Sequence, residues 1–130
     1  MGEPMNKQSQ DIIETLKLLP NKIKQQQKRV MTFVFDIEKT KSDIEREDNK
    51  IMLEIINAKD ENNKNVYTND TTRNLALQES RTKNTVTQQL LKNLTEAESA
   101  YREQKIELEH QQNTLSAMRA IARIIGANTE

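Results

Sequence analysis

The side chains that could do chemistry in this chain are few and scattered. His110, the only histidine, lies beside Glu107 and Glu109. An imidazole and carboxylates can bind zinc, but a zinc site draws on three or four ligands, and the chain has no second histidine and no cysteine. The same spacing is ordinary for a solvated helix face, so we predict no metal ligand and no cofactor.

Acid–base, nucleophilic and phosphate-binding motifs are equally incomplete. Glu45 and Asp48, or Glu96 and Glu98, are paired carboxylates, but general acid–base catalysis needs a pocket that long helices do not supply. A phosphate loop needs several glycines, whereas this chain has Gly2 and Gly126 alone. Gly126 instead indicates the end of the last helix. We predict that the protein is not an enzyme.

The composition favours extended helices over a globular core. Hydrophobic residues make up 34% of the 130 positions and charged residues 31%, with 20 basic residues balancing 20 acidic ones. A balanced charge removes the usual argument for nucleic-acid or membrane-surface binding. The first ten residues contain no apolar signal core, and no apolar run has membrane-spanning length. The expected location is therefore the cytoplasm, with no membrane partner.

Apolar residues recur with heptad spacing in both halves of the chain. In the first half one row is strong and a second row, three residues earlier, is weaker and partly polar. In the second half two rows are present. The strong first-half row is Leu16, Ile23, Val30, Ile37, Ile44 and Ile51, and the weaker one is Ile13, Pro20, Gln27, Val34, Lys41, Asp48 and Ile55. The second-half rows are Leu94, Tyr101, Leu108, Leu115 and Ala122, and Leu90, Ala97, Gln104, Gln111, Met118 and Ile125.

The rows of the two halves mirror one another, as in Ile23 with Leu108 or Gln27 with Gln104. Antiparallel packing requires this relation, and it places the turn between Asn65 and Val66. The sequence therefore predicts an all-α fold: a long antiparallel two-helix coiled-coil hairpin forming one domain over 1–130. Helix one spans about 8–59, the tip about 60–69 and helix two about 70–125. Pro20 predicts a kink, with a possible short separate helix before it.

Charges and remaining apolar residues extend this picture. The basic stretch 21–29 faces the acid-rich 102–109, which predicts a strip of ion pairs. Further apolar residues flank the seam, and two helices alone would leave them in water. We expect a homo-oligomer, preferably a dimer with four helices; alternatively residues 10–19 fold back over the patch. The candidate oligomer interface is Ile12, Leu19, Phe33, Ile121 and Ile124.

The predicted tip is rich in asparagine, as a solvated turn should be, and contains Tyr67. Tyr67 is either a peg packed against the helices or a recognition residue. Thr68, Asn69 or Asp70 can cap helix two. The candidate partner-binding residues are Tyr67, Asn69 and Arg73, and the candidate nucleic-acid contacts, toward the opposite end, are Arg119 and Arg123.

The tip and second half resemble a family of small uncharacterised helical-hairpin proteins encoded in bacteriophages and prophages. The similarity lies in "NVYTNDTTRNLAL" and in the ending "LSAMRAIARII". In that family a Tyr-Ser/Thr-Asn turn precedes an Arg and small apolar residues; the matching positions are Tyr67, Thr68, Asn69, Arg73, Leu75 and Ala76. The resemblance implies a setting among recombination, replication and host-defence-evasion genes.

Three functions are compatible with these observations. The first is a non-enzymatic, phage-encoded coiled-coil protein that acts as an accessory or inhibitor by binding a host or phage protein or a nucleoprotein complex. The second is a direct DNA-binding accessory factor in recombination or replication. The third is a structural spacer or assembly chaperone.

Overall fold

The structure, a computed structural model, describes residues 7–129, and over these it is all-helical. Helix α1 spans Lys7–Asn57, α2 spans Asp70–Lys83 and α3 spans Thr85–Thr129. An isolated antiparallel bridge joins Lys59 to Asn65 between α1 and α2. The contacts divide the described residues into a terminal unit, residues 7–33 with 100–129, and a central unit, residues 34–99.

Helix α1 is continuous through Pro20, so the possible separate helix before this proline was wrong. Pro20 is exposed, whereas Leu19 and Ile23 on either side are buried. A proline removes one backbone hydrogen bond, and the packing of these neighbours holds the helix across the gap. Helix α3 likewise runs through Gly126, the residue expected to end it.

In the terminal unit, α1 packs against α3 through a row that the sequence only partly predicted. The strong row is confirmed, since Ile23 and Val30 are buried. The companion row is Leu19, Gln26 and Phe33, three residues after the strong row. This choice buries Leu19 and partly shields Phe33, where the expected row would have buried Pro20 and Gln27. Ile13, Pro20 and Gln27 are all exposed.

Helix α3 presents both of its predicted rows inward. Every member from Leu90 to Ile125 is at least partly shielded from solvent, as predicted. The polar layer in the terminal unit is formed by Gln26 instead of Gln27. Gln26 is 3% exposed, and its Nε2 donates to the backbone carbonyl and the side-chain oxygen of Gln104, both at 2.8 Å.

The central unit has a small apolar cluster of Ile51 and Ile55 from α1 and Ala76 from α2. Met52, Tyr67 and Leu77 pack against it. These residues are few, so the cluster is thin, and polar contacts supplement it.

The second arm, expected to be one helix from 70 to 125, is broken at Asn84. Asn84 has φ −81° and ψ 115°, an extended conformation, and its N–H donates to the Ser80 carbonyl at 2.9 Å. Its Oδ1 accepts from the N–H of Thr87 at 2.9 Å and so caps α3, while its Nδ2 donates to Glu47 Oε1 at 3.3 Å. The break is therefore supported on the α2 side by the backbone N–H of Asn84 and on the α3 side by its side chain.

A bidentate ion pair lies close to this break in sequence. Arg81 Nε donates to Asp48 Oδ1 at 2.9 Å, and Arg81 Nη2 donates to Asp48 Oδ2. The hydrogen bonding with Asp48 raises the pKa of Arg81 above its ordinary value, so this guanidinium stays charged wherever the fold exists. Lys83, two residues after Arg81, pairs with Glu79 of its own helix at 3.2 Å.

Candidate interaction surface at the tip

The tip is a closed loop. The Val66 N–H donates to the Ala58 carbonyl at 3.1 Å, and the Asp60 N–H donates to the Lys64 carbonyl at 2.8 Å. Lys59 Nζ donates to the side-chain oxygen of Asn65 across the bridge between these two residues. The loop is thus a miniature antiparallel hairpin between α1 and α2.

Asp60 organises the turn of this loop. Its Oδ1 accepts from the backbone N–H groups of Asn62 and Lys64, both at 2.9 Å, and its carbonyl accepts from the N–H of Asn63 at 3.0 Å. Asn63 has φ +59°, a left-handed conformation that asparagine tolerates better than most residues. The turn is therefore centred on Asn62, and the predicted position between Asn65 and Val66 was wrong. The heptad mirror indicates only which residues of the two helices face one another. The position where the chain reverses depends on the hydrogen bonds that Asp60 accepts.

Asn69 is the cap of α2 among the three residues considered. Its Oδ1 accepts from the Thr72 N–H at 2.9 Å, and its own N–H donates to Thr72 Oγ1 at 3.4 Å, which together form a capping box. Its side-chain oxygen is therefore used within the chain. The amide nitrogen of Asn69, in an exposed side chain, is the group it can offer to a partner.

Tyr67 is half-buried and packs against the cluster of Ile51, Ile55 and Ala76. The ring acts as the peg that the sequence offered as one alternative. Arg73 lies on the first turns of α2, where its Nη1 is 3.8 Å from Asp70 Oδ1. The Arg73 side chain is 28% exposed, and its Nε is buried with no hydrogen-bond partner among the described residues.

Several apolar side chains of the central unit remain exposed near the tip loop. Leu53 and Leu75 are each about three-fifths exposed, and Ile56 and Val66 are also open to solvent. Met52 and Ile56 are four residues apart on α1 and stack along one side, so apolar surface continues from the packed Met52 outward to Ile56. We call Leu53, Ile56, Val66 and Leu75 the tip surface.

Comparisons with protein-family models, with curated proteins and with solved structures found no match to this chain. The phage resemblance therefore remains a hypothesis that stands on the quoted residues alone.

The other predicted site residues fall in the terminal unit. Leu19 is 7% exposed and Ile12 and Phe33 are partly shielded within the single chain, so these three lie on its packed side; assigning Leu19 to an outer interface was wrong. Ile121 and Ile124 are exposed, as an interface residue of a free chain should be. Arg119 and Arg123 are exposed as well.

The expected strip of ion pairs between 21–29 and 102–109 is not formed. Over residues 7–126, whose side chains the structure describes, all ion pairs lie in the central unit. Four basic residues of this stretch are exposed and have no carboxylate of a described residue within 4 Å: Lys22, Lys24, Lys28 and Arg29. Because Gln26 and not Gln27 faces α3, the neighbouring side chains are turned by about 100° from their expected directions. The basic side chains of 21–29 therefore do not align with the acidic side chains of 102–109.

The described residues form neither a metal site nor a membrane-spanning helix. Within residues 7–126, no group of three or more His, Asp or Glu side chains is placed to hold a metal ion. None of the helices described combines the length and apolar content that crossing a bilayer requires.

Sequence reasoning missed two residues that shape the central unit, Asp60 and Asn84. A signal was present for each. Asp60 begins "DENNK", in which an aspartate can bond to the N–H two residues on. Asn84 precedes the β-branched run Thr85–Val86–Thr87, an N-cap residue followed by weak helix formers.

Proposed function

We propose that this protein is a non-enzymatic antiparallel coiled-coil hairpin, phage-encoded, that acts as an accessory or inhibitor by binding another protein through its tip surface. The observation that supports this most is the combination of a closed, hydrogen-bonded loop with exposed apolar side chains beside it. Exposed apolar clusters mark protein contacts more often than they mark solvent faces.

A rigid loop also favours binding. Asp60 and the Lys59–Asn65 bridge fix the backbone before any partner arrives. A partner that meets an ordered loop does not have to order it, so less of the interaction energy is lost on association. Apolar side chains such as Leu53 and Leu75 would supply the buried contact, and Arg73 and the Asn69 amide nitrogen would supply polar contacts at its edge.

Site-specific photocrosslinking in host cells tests the tip. A photoreactive amino acid placed at Leu53 should crosslink one defined host or phage protein, and the same group at exposed Asn113 in the terminal unit should not. Leu75→Ser should then abolish the Leu53 crosslink. Equal crosslinking from both positions, or a Leu53 product unaffected by Leu75→Ser, would contradict tip binding.

A substitution of Tyr67 distinguishes a structural role of this residue from a direct contact with the partner. Tyr67→Phe keeps the ring against Ile51 and Ile55 and removes only the hydroxyl, so a purely structural role predicts unchanged partner affinity. A direct contact through the hydroxyl predicts a loss of roughly tenfold, the value of one hydrogen bond of about 1.4 kcal/mol. Titration of the purified partner distinguishes the two outcomes.

We propose further that the protein is a homodimer that uses the exposed Ile121 and Ile124. Both side chains would be costly to leave in water on a two-helix scaffold that has little core of its own. Sedimentation equilibrium should give twice the chain mass, and Ile121→Ser with Ile124→Ser should return the monomer. The hairpin itself predicts an elongated scattering profile, and a compact, near-spherical profile would rule it out.

A further inference from the structure

The charges of the chain are unevenly divided between the two units. Outside residues 34–99 the sequence holds ten basic residues and seven acidic ones, while residues 34–99 hold ten basic and thirteen acidic ones. The neutrality of the whole chain therefore conceals a basic unit. The balanced charge of the whole chain therefore does not exclude nucleic-acid binding by the terminal unit.

The basic residues of α3 are concentrated beside its packed row. Each residue of the packed row of α3, such as Tyr101, Gln104 or Leu108, is followed in sequence by a residue that lies about 100° further around the helix. These following residues form a second row beside the packed row. This second row has seven members, which are spaced alternately by three and by four residues. It consists of Arg102, Lys105, Glu109, Gln112, Ser116, Arg119 and Arg123, all of them exposed.

The corresponding row of α1 lies on the same side of the helix pair. Both helices are right-handed and they run antiparallel, so a step of one residue toward the C-terminus turns each of them toward the same flank. The α1 row is Lys17, Pro20, Lys24, Gln27 and Met31, again all exposed. The hydrogen bonds from Gln26 to Gln104 fix which sides of the two helices face one another. We call these two rows together the basic flank.

The basic flank has six cations and one acid, Glu109. The opposite flank of the same unit has Lys22 and Arg29 on α1 and Glu103 and Glu107 on α3, so its charges balance. No ion pair within 4 Å neutralises any residue of the basic flank among the described side chains. Lys105 instead lies over the ring of Tyr101, with Nζ 5.9 Å from the ring centre.

We propose that the basic flank binds the phosphate backbone of double-stranded nucleic acid. From Arg102 to Arg123 the α3 row spans about 32 Å at ~1.5 Å per residue, close to one turn of a duplex. Six cations on one flank, none of them in an ion pair with a described residue, are complementary to the phosphates of a duplex. Single strands are usually held by aromatic side chains that stack on bases, and the flank has none; Tyr101 belongs to the packed row and is covered by Lys105.

The binding is expected to be independent of sequence. Lysine and arginine side chains on an exposed face contact phosphates, and base reading requires an element that enters a groove with side chains aimed at base edges. The flank offers only Gln27, Gln112 and Ser116 as neutral polar groups. This activity is separate from partner binding at the tip, because the tip surface belongs to the central unit.

Fluorescence anisotropy with a labelled 30-base-pair duplex of mixed sequence tests the proposal, using the full chain. The affinity should fall as salt rises, and six phosphate contacts give a slope of log K against log salt of about −5. The double variant Arg119→Gln/Arg123→Gln should reduce this slope by about 2, and so should Arg102→Gln/Lys105→Gln. All four positions are exposed, and unchanged far-ultraviolet circular dichroism would confirm that each variant folds.

The matched control is Lys22→Gln/Arg29→Gln on the opposite flank, which removes the same net charge from the same unit. It should leave the slope within about 0.5 of the wild-type value, because its cations do not belong to the contact face. An equal loss in the control would show that only net charge matters and would overturn the basic flank as a site.

Two further measurements distinguish binding to double-stranded nucleic acid from binding to other polyanions. A single strand of the same length should bind more weakly than the duplex, and vesicles containing anionic phosphatidylserine should not compete with it. Tighter binding to the single strand, or to vesicles in preference to the duplex, would refute the assignment to double-stranded nucleic acid. Absence of salt-dependent duplex binding would refute it as well.

Discussion

Replacing Gln26 or Gln27 by alanine tests the register of the terminal unit. The heptad mirror placed Gln27 opposite Gln104, whereas in the structure Gln26 is 3% exposed and bonds to Gln104 while Gln27 is exposed. Both substitutions remove the same atoms from adjacent positions of one helix. Any difference between them therefore reports the environment of the side chain.

The cost of Gln26→Ala follows from what the side chain contributes. Its hydrogen bonds to Gln104 are worth about 1 kcal/mol net, and its buried methylene about 0.8 kcal/mol. The small cavity that remains adds to this, and the better helix propensity of alanine offsets a few tenths of a kcal/mol. The free energy of unfolding should fall by about 2 kcal/mol.

Urea denaturation followed by circular dichroism measures this cost. With an m-value of about 2 kcal/mol/M, the Gln26→Ala midpoint should lie roughly 1 M below that of the wild type. Gln27→Ala, an exposed substitution, should change the free energy by less than about 0.5 kcal/mol. If Gln27→Ala costs as much as Gln26→Ala or more, the one-residue register shift is refuted.

Three further substitutions probe the central unit. Asn84→Ala should lower the free energy of unfolding by about 1 kcal/mol because Thr87 loses its cap, and Asn84→Ser should restore most of the loss; equal denaturation midpoints for Asn84→Ala and the wild type would contradict the capping role. Asp60→Ala should accelerate amide hydrogen exchange at Lys64, measured by NMR, whereas Asp60→Asn, which keeps the acceptor oxygen, should not; unchanged exchange in Asp60→Ala would remove Asp60 as the organiser of the turn. Asp48→Asn should cost about 1 kcal/mol in thermal unfolding, a modest value because the Arg81 side chain is 41% exposed, and a cost above about 3 kcal/mol would mean that the pair is more deeply buried than described.

The long periodic elements of the fold follow from the sequence. Both rows of α3 and the strong row of α1 were predicted, because burying apolar side chains at heptad spacing is the dominant contribution to stability and it leaves a regular pattern. The companion row of α1 was predicted correctly where it reaches Ile55, which is buried in the central unit, and wrongly in the terminal unit. Rows three residues before and three residues after the strong row both satisfy the spacing, and the side chains decided between them: Leu19 and Phe33 gain more from burial than Pro20 and Gln27.

The local features were harder to foresee, because single side chains set them. The turn at Asn62 depends on the bonds that Asp60 accepts. The break at Asn84 depends on the side-chain amide of Asn84, which bonds to Thr87 and Glu47, and on its backbone N–H, which bonds to Ser80. Neither the turn nor the break interrupts the heptad pattern of apolar residues enough to be predicted from it. The basic flank could not be predicted from the sequence for another reason. Its residues can be assigned only when it is known which residues of α1 face α3. Partner binding at Tyr67, Asn69 and Arg73 stays a prediction.

The closed tip loop has a consequence for how the chain folds. Its hydrogen bonds join residues no more than eight positions apart, such as Ala58 and Val66, so the entropy lost in closing it is small. By contrast, Gln26 and Gln104 are 78 positions apart. Contacts of short sequence separation form first and shorten the remaining loops for those that follow. We therefore expect the tip loop, organised by Asp60, to close before the distant contacts between Gln26 and Gln104 form.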